Sequence, residues 1–100
     1  MKTYYFLGIG GIGMSAIARY LNESGDRIFG YDRVRTELTR ELEKEGMTIT
    51  YNDDVSTLPN SIDMVIYTPA VPKDNLIYNY FVENNLPMKK RSQVLGEITK

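Results

Sequence analysis

Four glycines stand close together in "GIGGIGMS": Gly8, Gly10, Gly11 and Gly13. Gly8, Gly10 and Gly13 fit G-x-G-x-x-G, a spacing that lets bare backbone cradle a phosphate. The first glycine permits a tight bend, the second lets the anion reach the main chain, and the third lets helix and strand pack closely. Ile12 lies inside the loop, and Ser15, in the first helical turn, adds a hydroxyl donor. Free N–H groups and the positive end of the helix dipole then face the anion. Asp32 follows 19 residues after Gly13. A carboxylate at the end of the next strand accepts hydrogen bonds from ribose hydroxyls, and the same residue equally suits the N-cap of a helix running from Val34. Position alone leaves both roles open. A third feature, "YTPAVPKDN" from Tyr67 to Asn75, is stiffened by two prolines and presents Thr68 and backbone groups at a strand's carboxyl end.

These residues need particular elements to position them, and the hydrophobic pattern supplies them. "TYYFLG" (Thr3 to Gly8) has the composition of a buried strand. From Gly13 onward Met14, Ile17 and Leu21 recur at helical spacing, with Gly25 as a left-handed stop. "RIFGYD" is a second strand. "VRTELTRELEKEG" is a helix with Val34, Leu38 and Leu42 on one face and Gly46 at its end. "MTITY" is a third strand, and "NDDVSTLPNS" is a polar loop with room for one helical turn. "IDMVIYT" is a fourth strand, and "DNLIYNYFVENN" is a helix capped by Asp74 with Leu76, Ile77, Tyr80 and Phe81 toward the core. "PMKK" is a short last strand, and a further helix opens behind Ser92. Alternating strands and helices imply a Rossmann-like open parallel sheet of about five strands with helices on both faces, a three-layer α/β/α fold. Val94, Leu95 and Ile98 continue in register up to Lys100 with no terminator, so residues 1–100 read as a single domain of a larger protein.

Composition narrows the classes of function. The chain has 100 residues, 42% hydrophobic and 25% charged, with a net charge of -1. That balance belongs to an ordinary globular domain and gives no electrostatic footprint for nucleic acid or an anionic membrane. Cysteine and histidine are both missing, which removes disulfides, thiolate zinc sites and the commonest general base. No metal site and no catalytic residue is expected in this stretch. The N-terminus resembles neither a signal peptide nor a membrane span, and a cytoplasmic location is expected. "KKR" (Lys89 to Arg91) is too short for a nucleic-acid patch, and "NDD" (Asn52 to Asp54) reads as an acidic turn rather than a cation site.

Taken together, "GIGGIGMSAIARYL", "GYD", "YTPAVPKDN" and "KKRSQVLGEI" resemble the N-terminal domain of the Mur ligases of peptidoglycan synthesis, in particular those acting on UDP-N-acetylmuramate and L-alanine. The resemblance covers nearly the whole chain. It implies a three-domain enzyme that activates a substrate carboxylate with ATP and Mg2+ as an acyl phosphate and joins it to the amino acid. This first domain would hold the UDP part of UDP-N-acetylmuramate, with the ATP-binding central domain and the C-terminal domain lying outside it. By position, the resemblance places Gly8, Gly10, Gly11, Ile12, Gly13 and Ser15 around the diphosphate. Asp32 and Arg33 fall at the uridine end, Thr68, Pro69, Ala70 and Val71 border the nucleotide, and Arg91 and Asn52 stand near the substrate. Two positions depart from the family pattern: Tyr31 replaces a serine before the acid, and Asn52 stands where many members have histidine.

No G-x-x-x-x-G-K-[ST] run occurs, so this stretch has no P-loop for ATP. It is expected to bind without ligating and to need no cofactor of its own. Two other readings share the glycines and the terminal acid: the NAD-binding half of an oxidoreductase, and a regulatory nucleotide-sensing domain. A valine at Gly10 is expected to block phosphate approach while leaving the fold largely intact.

Overall fold

The computed structural model describes the backbone of residues 1–98 and the side chains through residue 94. The side chains of Leu95 and Ile98, expected to share a face with Val94, lie outside those described. Five strands form one all-parallel sheet: β1 (Thr3–Leu7), β2 (Arg27–Tyr31), β3 (Thr48–Thr50), β4 (Met64–Tyr67) and β5 (Met88–Lys90), in the order β3-β2-β1-β4-β5. The helices are α1 (Ile12–Glu23), α2 (Glu37–Lys44), α3 (Leu76–Glu83) and α4 (Arg91–Ile98), with a 3-10 turn at Val55–Thr57. No helix among the described residues is long and apolar enough to cross a membrane.

Side chains alternate across the sheet with the two-residue period of a strand. Phe6, Ile28 and Ile66 face one side, where Met14, Ile17 and Ala18 of α1, Leu42 of α2 and Val94 of α4 complete a core. Tyr5, Leu7, Tyr31 and Val65 face the other, against Ile77 and Phe81 of α3. Central β1 therefore reads as a near-continuous apolar run because both of its faces are covered. The edge strands β3 and β5 have three residues each.

The local stops follow from backbone requirements. Gly25 and Gly46 take φ of +94° and +105° just beyond α1 and α2, a conformation that only glycine adopts cheaply. Helix α2 starts three residues later than the periodicity suggests. Thr36 and Thr39 form a reciprocal capping box there, which satisfies two N–H groups that a start at Val34 would leave open. Val34 is consequently exposed. At α3 the cap is Asn75, whose side chain accepts from the Tyr78 N–H at 2.8 Å, rather than Asp74. Of the four residues expected to face the core, Ile77 and Phe81 do so, whereas Leu76 and Tyr80 are exposed.

Candidate functional site

The sheet order reverses between β1 and β4, and open parallel sheets form a crevice at the carboxyl ends of the strands at such a point. Here the crevice is a cavity of about 640 Å³, with the glycine loop on one wall and the proline loop on the other. Gly8 turns with φ of +86°, and its N–H and that of Ile9 both donate to the Tyr31 carbonyl, at 2.8 and 3.2 Å. A Cβ on Gly8 would stand 3.5 Å from Val71 Cγ2 and 3.7 Å from Thr68 Oγ1, so the two loops meet directly over this residue. The proline loop is held by its own turns, with the Val71 N–H on the Thr68 carbonyl at 3.2 Å and the Asn75 N–H on the Pro72 carbonyl at 3.1 Å.

Hydrogen bonding decides which amides remain for a ligand. Those of Gly8 and Ile9 go to Tyr31, that of Gly10 to Asp32 Oδ2 at 2.7 Å, and that of Gly11 to the Gly8 carbonyl at 3.2 Å. The helical ladder of α1 begins with the Ser15 N–H on the Gly11 carbonyl at 2.8 Å. The amides of Ile12, Gly13 and Met14 precede that ladder and stay unclaimed by it. Gly11 is the N-cap and brings no capping side chain, and the first turn contains no acidic residue. The amides left open thus belong to the first turn of α1, Gly13 among them, a place where the helix dipole favours an anion.

Of the residues singled out in the sequence, Gly8, Gly10, Gly11, Asp32, Arg33, Thr68, Ala70 and Val71 line the cavity. Ile12, at 86% exposure, and Pro69, also exposed, are not part of its lining. The Ser15 hydroxyl is buried and donates to the Ile12 carbonyl at 2.9 Å, so it is spent inside α1. Arg91, the first residue of α4, lies against the face of Gly13. Asn52 is exposed, with its backbone in a turn with Thr50 and Asp54. Asp32 does not cap α2. Its two oxygens accept from the Gly10 N–H at 2.7 Å and the Val34 N–H at 3.3 Å. A Cβ on Gly10 would fall 2.6 Å from Asp32 Oδ2 and 3.0 Å from Thr39 Cγ2. A valine there therefore disturbs the loop itself, and the expectation of an otherwise intact fold is revised.

The structure adds Tyr31, Asp53, Asp74 and Asn75 to the lining. Asp53 caps α3 from a distance, accepting from Leu76 N–H at 2.7 Å and Ile77 N–H at 3.0 Å. It thereby ties the loop after β3 to the wall of the crevice. Nothing local in "NDD" signals a bond that spans 23 residues. The Tyr31 phenol is held above its ordinary range, first by burial and then by the Asp53 and Asp32 carboxylates, with Arg33 opposing. Asp32, Asp53 and Asp74 line one cavity, and among the described residues no three acidic groups converge as a metal site. Carboxylates spread along a wall suit hydroxyl donors, whereas the α1 amides suit an anion.

Comparison with known proteins agrees with this geometry. The family model described as "Mur ligase family, catalytic domain" matches residues 3–100. The UDP-N-acetylmuramate--L-alanine ligase of Christiangramia forsetii is 44% identical over 99% of this chain, and that of Cytophaga hutchinsonii is 46% identical over all of it. The chain spans 23% and 22% of those two relatives. The crystal structure of the UDP-N-acetylmuramate-alanine ligase of Thermotoga maritima superposes with a TM-score of 0.92 at 31% identity, over 99% of this chain and 23% of that one. A murein peptide ligase from Psychrobacter arcticus shares the fold, with a TM-score of 0.86. With a glycine loop opening α1, a proline loop facing it across the crevice and a family model and relatives matched along nearly its whole length, the chain belongs to the Mur ligase family.

Proposed function

We propose that this chain is the N-terminal, UDP-binding domain of an ATP-dependent ligase that joins L-alanine to UDP-N-acetylmuramate in the cytoplasm during peptidoglycan synthesis. The observation that carries this reading is the crevice at the ends of β1 and β4, lined by the glycine loop, Asp32 and the proline loop, beside the first turn of α1, whose amides precede the helical ladder. In it the nucleoside occupies the cavity lined by Asp32, Arg33, Thr68, Ala70 and Val71, with Pro69 at its outer rim. The diphosphate lies on the first turn of α1, over Gly11, Ile12 and Gly13, with the Arg91 cation alongside. Ser15 supports the turn from within. The muramyl end then points out of this domain, toward the remaining length that the relatives have. ATP and Mg2+ would act on the substrate carboxylate there, since this chain has no P-loop run. Within these residues the work is binding and orientation.

Melting the chain with UDP-N-acetylmuramate, UDP or NAD present tests the reading. A ligand at about 100 times its dissociation constant contributes ~2.7 kcal/mol, which raises the melting temperature of a domain of this size by several degrees. The expected outcome is a shift with both uridine ligands and none with NAD. A shift with NAD alone would move the chain to the dinucleotide-binding reading.

A further inference from the structure

The acid at the end of β2 is spent on the protein's own backbone. Asp32 Oδ2 accepts from the Gly10 N–H at 2.7 Å and Oδ1 from the Val34 N–H at 3.3 Å. The same carboxylate stands 2.6 Å from where a Cβ on Gly10 would lie, so the second glycine of the loop admits a carboxylate as well as any ligand. Gly8 and Ile9, just before, are pinned to the Tyr31 carbonyl. The end of β2 thus holds three successive amides of the glycine loop and leaves those at the start of α1 outward.

We propose that Asp32 is a positioning residue for the diphosphate, acting through Gly10, and that it sets which loop amides reach the ligand. This rests on the UDP-binding reading above. A bond from a charged acceptor is among the stronger ones. Without it, the Gly10 peptide is free to rotate, and the first turn of α1 loses its fixed approach to the anion. The sign of the effect separates this role from two simpler ones. If Asp32 acted only as a negative charge beside a phosphate, neutralising it would tighten diphosphate binding. If it only held the ribose, removing it would weaken uridine and UDP by the same factor.

The test measures uridine and UDP affinities by calorimetry for the full chain and for Asp32→Ala and Asp32→Asn, together with amide hydrogen exchange at Gly10. Asp32→Ala is expected to lower UDP affinity about ten-fold more than it lowers uridine affinity, and to speed exchange at Gly10. Asp32→Asn keeps a carbonyl oxygen for Gly10 and is expected to recover most of the UDP affinity, which also guards against a fold lost in the alanine variant. Equal losses for uridine and UDP, tighter UDP binding, or unchanged Gly10 exchange would each overturn the proposal. If the unmodified chain binds no UDP, the functional reading fails, and Gly10 exchange still decides whether Asp32 holds the loop.

Discussion

Arg91 lies across the face of Gly13, with its Nη1 atom 2.6 Å and its Cδ 2.9 Å from where a Cβ at that position would stand. The third glycine of the motif therefore makes room for a cation from α4 at the start of α1, a different use from close packing of helix and strand. The contact joins α4 to α1 beside the amides that precede the helical ladder.

Gly13→Ala is expected to fold with an unchanged or slightly raised melting temperature. Alanine is the better helix former by about 1 kcal/mol, and the atoms in its way belong to a flexible side chain. UDP affinity should nonetheless fall, because the guanidinium is pushed aside. Arg91→Ala should weaken UDP comparably, and the double variant should be no worse than either single one. Additive losses in calorimetry would show that the two residues act separately.

Asp53→Ala removes the acceptor for the Leu76 and Ile77 amides. Loss of such a cap costs about 1–2 kcal/mol, and a chain of this size should melt several degrees lower. Asp53→Asn retains one acceptor and should lie between. A melting temperature identical to that of the unmodified chain would show that Asn75 alone suffices to start α3.

Gly30 is the fourth of the five residues of β2, and a Cβ there would meet Ile9 Cδ1 at 2.7 Å and the Phe6 carbonyl oxygen at 3.1 Å. Since one neighbour is backbone, the strand pair cannot relax cheaply. Gly30→Ala should cost ~1–3 kcal/mol as overpacking, read as a lower urea midpoint with an unchanged slope.

Tyr5 is almost wholly buried, and its hydroxyl has no hydrogen-bond partner among the described residues. Burial, then the nearby Asp53 carboxylate and Tyr31, push its ionisation well above the usual 10.0. The folded state keeps this proton while the unfolded chain releases it near pH 10, so the stability it supports is intact below that pH and is lost as the pH rises above it. Tyr5→Phe should match or exceed the unmodified chain at neutral pH, by on the order of 1 kcal/mol, and should lose less stability between pH 9 and 11. Equal loss in both proteins would place the alkaline sensitivity elsewhere, with Tyr31 the next group to examine.

The sheet, its five strands and the glycine turn that opens α1 were legible because each is written locally. "TYYFL" is apolar on both faces, and Gly25 and Gly46 mark their helix ends without reference to anything distant. Helix starts were harder to read. Val34 continues the apolar spacing of α2, yet the reciprocal Thr36 and Thr39 bonds outweigh one more turn. At the site, the glycine and proline loops could be paired from sequence because both follow strands. The role of Asp53 could not, since its partners arise only when the sheet brings residues 53 and 76 together. The Ser15 hydroxyl shows the opposite case: its type suits a phosphate, but the helix interior takes it first.

The short outer strands bear on how the domain behaves among its own copies. β3 and β5 each expose only three residues of backbone, and β5 carries Lys89 and Lys90. An edge that short and that charged is a poor template for another sheet. Chains crowded during synthesis should then stay apart as separate folded units, leaving the crevice at the centre of the sheet open to its ligand.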